Sequence, residues 1–371
     1  MFLSIIIAFF SLVSLAILHE FGHFILAKKF GVKVEEFGIG YPPRIFAKKI
    51  GETVYSLNLL PFGAMVRVKG EEGNIESLES FSGKPIWQRA LIVFGGVASF
   101  WLIAAIILSV VFAVGVNEVI DDEVSAINSK VQIIAVAQNS PSQAAGLKAG
   151  DIITKVQSSW TPAGGLPGGL QTKNQTNIDK TKTFQGFTKE NLGQEIIVTI
   201  QRGKETLDIY IIPRSSPPTG EGPLGVALVR TAIKNYPWWL APIKGVEATF
   251  NITILIIKGF GQAIASAFRG LPTGMELIGP VGIGSLIAQA TQLGIAYFLQ
   301  FIALIAIYMA IFNILPIPAV DGGKLLFLAI EKIKGKPIKQ RTEQGINAVF
   351  FALIILLSVV VTIKDIAKLF S

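Results

Sequence analysis

"LAILHEFGHFILAKKF", residues 15–30, carries both histidines of the 371-residue chain, together with a glutamate, inside an almost unbroken apolar run. An ionisable side chain at the centre of a membrane helix costs roughly 2.5–3.5 kcal/mol even on lenient scales, so its presence there points to function. The rest of the chain supports a lipid setting. It is 51% hydrophobic and only 16% charged, against about 25% charged in an ordinary soluble domain. No cysteine is present, which excludes disulfides, a thiol nucleophile and thiolate-bound metal. The net charge of +8 is consistent with a nucleic-acid partner. Because the basic residues gather beside apolar spans, they read instead as topology determinants facing a lipid bilayer, and no nucleic-acid partner is expected.

A span needs roughly 20 apolar residues. Four segments meet this: residues 1–30, 86–116, the apolar part of 291–323, and 345–371. "PWWLAPIKGVEATFNITILIIKGFGQAIASAF" is also apolar but is interrupted by Lys244, Glu247, Lys258 and Gln262. It is expected to form, within 232–290, amphipathic helices on the membrane surface. Ten lysines and arginines lie between Lys28 and Arg89, and six between Lys324 and Arg341. Both connecting segments, 31–85 and 324–344, should therefore face the cytoplasm, the latter as a loop, with residues 117–290 outside.

The outer region begins with a β-rich domain, residues 117–231. "KVQIIAVAQNSPSQAAGLKAGDIITKVQ" runs strand, turn, short helix, turn and strand. "QEIIVTIQRG" and "KETLDIYIIPR" alternate in polarity and meet at Arg202-Gly203, a hairpin signal. Ser158 to Lys182, rich in Gly, Pro, Thr, Asn and Gln, is expected to be a long surface loop. The stretch "SPSQAAGLKAGD" resembles the opening of PDZ domains of bacterial proteases, which bind extended peptide by adding a strand to an open edge.

His19 and His23 are four apart, so on a helix their imidazoles share one face. That spacing lets two ring nitrogens reach one ion at the ~2.0–2.1 Å of a zinc–nitrogen bond. Glu20 points about 100° away from His19 around the helix axis. It is badly placed as a ligand but can act as general base on a water beside the ion, the logic of H-E-x-x-H. A catalytic zinc usually keeps three protein ligands. With no third histidine and no cysteine, the remaining one must be a carboxylate. "FNILPIPAVDGGKLL" supplies Asp321 at the cytoplasmic end of the third span, the same depth as His19. Two prolines break the helix before it, and two glycines after it let the backbone approach closely. A turn aspartate in Asp-Gly-Gly is the plainer reading of those letters; the matching depth favours a ligand.

"HEFGH" in a first span with "NILPIPAVDGG" at a late one resembles the site-2 protease family, and a PDZ domain between the second and third spans resembles its regulator-of-sigma-E protease type. The likeness runs over essentially the whole chain. It implies a polytopic α-helical membrane protein with four transmembrane helices, a membrane-associated β-hairpin and an inserted extracytoplasmic PDZ domain. It implies Zn2+ held by His19, His23 and Asp321, with Glu20 activating water. It further implies that Asn313, opening the second motif, and the hairpin around Gly63 hold the substrate strand. The family's usual Gly-Gly pair is Gly63-Ala64 here, and its Gly-Pro-x-x-Asn in the second span is replaced around Gly96 and Ser99. Gly95 and Gly96 read as small residues permitting close helix contact.

The implied activity is intramembrane endoproteolysis of single-span membrane proteins in a bacterial inner membrane. Substrates would include pre-trimmed anti-sigma factors and remnant signal peptides. Peptide ends would bind the PDZ domain, and the active site would lie near the cytoplasmic side. Two rivals use the same residues: a membrane zinc permease, and a non-catalytic PDZ scaffold that holds zinc. The first leaves Glu20 and the peptide-binding domain without a purpose.

Overall fold

The computed structural model describes residues 2–71, 77–126, 129–158, 173–203, 205–218, 220–274 and 277–370. Along the chain, helix α1 (Phe2–Lys29) leads into strands β1 (Val34–Ile50) and β2 (Thr53–Val68), then helix α2 (Ile86–Val114). A β-rich stretch follows, with β3 (Val116–Val119), β4 (Lys130–Val136), α3 (Pro141–Ala144), β5 (Ile152–Ser158), β6 (Lys173–Asn177), α4 (Thr181–Glu190), β7 (Ile196–Arg202), β8 (Glu205–Ile211) and β9 (Val226–Lys234). The chain ends in α5 (Ala241–Phe268), α6 (Pro280–Leu293), α7 (Ile295–Ile314), α8 (Asp321–Lys334) and α9 (Gln340–Phe370). Two units result, one of residues 1–111 with 237–371, the other of residues 112–236.

Among the described residues, five helices are long and apolar enough to cross a membrane: Ile6–Lys29, Ile86–Val114, Ala241–Phe268, Ile295–Ile314 and Gln340–Ala367. The third of these covers the stretch expected as amphipathic surface helices, which forms one continuous helix, α5, with the length and apolarity of a span. Lys244 pairs with Glu247 at 2.7 Å in the first turns of α5, and Lys258 and Gln262 lie further along the same helix. The expected loop 324–344 also differs, because its first part is the amphipathic helix α8. Helices α1 and α2 touch where side chains are absent: a Cβ at Gly22 would lie 2.3 Å from the Gly95 carbonyl oxygen. Small residues permit that approach, as in other membrane helix pairs.

Strands β1 and β2 form an antiparallel hairpin closed by Gly51-Glu52, with Ile50 opposite Thr53. Gly51 sits at φ +61°, which only glycine adopts without a Cβ penalty in such a turn. The hairpin folds back on itself. Phe37 of β1 faces Tyr55 on one side and Val66 on the other. The segment 64–68 therefore lies at the outside of this small sheet, paired on one side only among the described residues. A cluster of Ala27, Val32, Val34, Val68, Phe81, Ile92 and Val93 fixes the hairpin to α1 and α2.

The second unit is a seven-stranded antiparallel sheet in the order β3-β9-β4-β5-β7-β8, with β6 pairing β5. Val131, Ile133, Ile153, Ile196, Val198 and Ile200 form its core from alternating strand positions, with Phe184 of α4 packed among them. Ser140 caps α3 by accepting from the Gln143 amide at 3.2 Å, and Pro141 opens that helix. Asp122 accepts from the Thr181 and Lys182 amides and the Thr181 hydroxyl, holding the start of α4. The unit runs past the expected bounds 117–231, because β3 and β9 extend it to 112–236. Of the expected loop from Ser158 to Lys182, residues 159–172 lie outside the described ones. The segment 173–177 is strand β6 and Thr181 opens α4, since Asn and Thr find strand and cap partners there.

Candidate functional site

Helix α1 places His19 and His23 one turn apart on one face, and the opening turn of α8 carries Asp321 between them. Asp321 Oδ2 is 3.2 Å from His19 Nε2 and 3.3 Å from His23 Nε2, and the two Nε2 atoms are 3.4 Å apart. Ligands at ~2.0–2.1 Å around a tetrahedral ion stand about 3.3–3.4 Å from one another. The three atoms thus form the face of a zinc tetrahedron. Among the described residues this is the one group of three His, Cys, Asp or Glu side chains so arranged. Asp321 Oδ2 is buried and has no hydrogen-bond partner, an arrangement that otherwise costs about 1–3 kcal/mol. A cation in the triangle removes that cost.

The orientation of each group has a local cause. His23 Nδ1 lies 3.0 Å from the Ile92 carbonyl, so Nδ1–H donates there and leaves the Nε2 lone pair aimed at the triangle. The His19 ring stacks on Phe100 at 4.6 Å between centroids, 15° from parallel. Asp321 depends on the turn before it. Ala319 adopts φ +76°, a conformation costly for a residue with a Cβ, and its amide donates to Asn347 Oδ1 of α9 at 3.1 Å. Gly322 and Gly323 are required by crowding: a Cβ would lie 1.9 Å from the Leu315 oxygen at the first and 2.5 Å from the Ile317 oxygen at the second.

Glu20, His23 and Asp321 line a cavity of about 150 Å³ with Tyr41, Lys324, Glu71 and the outer strand residues Ala64, Met65 and Val66. This has room for a few waters. Gly63 begins that strand at φ +105°, and a Cβ there would face Tyr41 at 3.5 Å and Ala16 of α1 at 3.8 Å. Asn313 lies in the last turn of α7, where its side-chain amide donates to the Met309 carbonyl at 2.9 Å. The structure thus brings His19, Glu20, His23 and Asp321 together, puts Gly63 at the edge of the same region, and engages Asn313 with its own helix.

In the sequence Gly96 is legible only as a small contact residue. A Cβ on it would lie 2.1 Å from His23 Nε2 and 2.4 Å from Cε1, so its bareness makes the space for the imidazole. Phe100, one turn further, and Asn347 were not singled out by sequence. A helical wheel with α2 docked on α1 would have found the first pair; no sequence signal marks Asn347.

The model of peptidase family M50 matches residues 7–357. A Clostridium perfringens protein named as a zinc metalloprotease is 31% identical over 98% of both chains. Zinc metalloprotease RasP of Shouchella clausii is 28% identical over 98% of both. Regulator of sigma-W protease RasP of Bacillus subtilis is 26% identical over the full length of both.

Proposed function

The chain belongs to peptidase family M50, and from that premise we propose that it is a zinc-dependent intramembrane endopeptidase of the site-2 type. The observation that carries this reading is the triangle of His19 Nε2, His23 Nε2 and Asp321 Oδ2, with edges of 3.2 to 3.4 Å. Zinc held there supplies Lewis acidity, polarising a peptide carbonyl and making water reactive near neutral pH. Glu20, in the same cavity, takes a proton from the attacking water as its oxygen bonds to the carbonyl carbon. It then returns the proton to the amide nitrogen as the carbon–nitrogen bond breaks.

A substrate helix hides its carbonyls in its own hydrogen bonds, and unwinding it exposes groups that lipid cannot satisfy. The one-sided strand 64–68 offers backbone partners to such a segment, with Gly63 leaving the approach open and Asn313 turning from Met309 to the substrate. Single-span membrane proteins are the proposed substrates, in the class of pre-trimmed anti-sigma factors and remnant signal peptides. The relative named as a regulator of sigma-W protease supports this. The protein is a multi-pass membrane protein, proposed to reside in a bacterial inner membrane with its catalytic residues near the cytoplasmic side. The β-rich unit is proposed to be an extracytoplasmic PDZ domain that binds peptide ends. Glu20→Gln tests the assignment against a permease and a scaffold. Cleavage of a model single-span substrate should disappear while zinc content stays; surviving cleavage would remove Glu20 from the reaction, and zinc flux into proteoliposomes would favour the permease.

A further inference from the structure

Lys324 follows Asp321 by three residues, so the two share a face of α8. Its Nζ lies 2.6 Å from Oε1 of Glu71, which stands three residues past the end of β2. Both residues line the cavity that holds Glu20, His23 and Asp321, and both also line a second cavity of about 300 Å³ beside Arg89, Glu331 and Glu343. The ion pair thus borders both cavities. The Glu71 charge holds the Lys324 ammonium above the ordinary lysine range. Helix α8 has a second tie: Arg89 of α2 donates to Glu331 at 3.0 Å, two turns beyond Lys324.

We propose that the Glu71–Lys324 pair is a positioning strut, which sets the outer strand 64–68 against the Asp321 carboxylate so that a peptide laid on that strand presents its carbonyl at the site. This rests on the endopeptidase reading. A partly exposed ion pair contributes only about 0–1 kcal/mol to stability, so global stability is a poor reason for it to be built into a cavity wall. A misplacement of about 1 Å at a reacting centre lowers rate on the order of 100-fold, and the pair joins the two elements whose separation decides that distance. Lys324 acts here through Glu71, not on the reacting atoms.

The test is a cycle of Glu71→Gln, Lys324→Gln and the double variant, in purified full-length protein with a single-span substrate. Each single change should lower kcat about tenfold, with KM within about twofold and zinc content unchanged, and the double variant should be no worse than either. Normal kcat in Glu71→Gln with loss in Lys324→Gln would mean that Lys324 works alone and would overturn the strut. So would losses that multiply, or a fall in zinc content in place of kcat. A readout independent of catalysis uses the cysteine-free chain: spin labels at Arg67→Cys and Lys332→Cys report the separation of strand and helix. The distance distribution should broaden in each single variant, and an unchanged one would sink the proposal. An unmodified protein that cleaves nothing, with the broadening still present in each single variant, would count against the endopeptidase reading and leave the strut standing.

Discussion

Gly96→Ala tests how the metal triangle is built. The new methyl group would sit 2.1 Å from His23 Nε2, 2.4 Å from Cε1 and 2.6 Å from Cδ2, where ordinary contact begins at 3.4 Å. The imidazole has to withdraw by more than about 1 Å. Metal–ligand distances tolerate only about 0.2 Å, and any such withdrawal also breaks the 3.0 Å bond from Nδ1 to Ile92. Loss of a supporting partner alone weakens metal binding about 10–100-fold, so losing the ring position should weaken zinc binding about 100-fold or more. Helix propensity acts the other way, since alanine is favoured over glycine by up to about 1 kcal/mol. The expected signature is thus a protein that still folds, at a cost of about 1–3 kcal/mol from overpacking, but binds zinc about 100-fold or more weakly, read by competition with a fluorescent chelator and by thermal unfolding of the same sample. Gly95→Ala is the control. Its Cβ meets the flexible end of Leu26 at 2.5 Å and the Gly22 carbonyl oxygen at 3.0 Å but no atom of His23, so zinc affinity should change less than in Gly96→Ala. Equal zinc affinity in Gly96→Ala and the unmodified protein would refute the reasoning.

Two further outcomes follow from other contacts. Asp365 of α9 accepts from the Gly279 and Gly282 amides at 2.9 and 2.8 Å, capping α6 from a neighbouring helix, so Asp365→Ala should lower stability by about 1 kcal/mol, measured by thermal unfolding in detergent. Asp122 is held below the ordinary carboxylate range: burial alone would raise it, but the Thr181 hydroxyl, the Lys182 and Thr181 amides and the Arg230 charge outweigh that. A depressed carboxylate contributes stability above its unfolded pKa of about 3.9 and loses it as pH falls through the folded value. Asp122→Ala should therefore destabilise the β-rich unit at pH 7 and become nearly silent in strong acid. A deficit that persists there would assign the role to packing instead of charge.

Which features were legible in sequence follows from their range. His19 and His23 were readable because the helical repeat alone places them on one face, and a membrane span gives ionisable groups no bland purpose. Asp321 was readable because prolines and glycines marked a break at the depth of His19. The same glycines concealed α8: Asp-Gly-Gly looks like a turn, yet the close approach of Gly322 and Gly323 to Leu315 and Ile317 is what lets a helix begin there. Gly96 and Phe100 escaped because their meaning depends on which face of α2 meets α1. Asn347 and the Glu71–Lys324 pair escaped because their partners are brought together only by tertiary packing, the latter across 253 residues.

The most direct measurement is zinc-edge X-ray absorption on the purified full-length protein, beside its Asp321→Asn variant. The account predicts about one zinc per chain, coordinated by two imidazole nitrogens and a carboxylate oxygen at ~2.0–2.1 Å, with occupancy lost in the variant. Zinc retained in an unaltered coordination shell when Asp321 is changed, or a protein that cleaves its substrate with no metal bound, would contradict it.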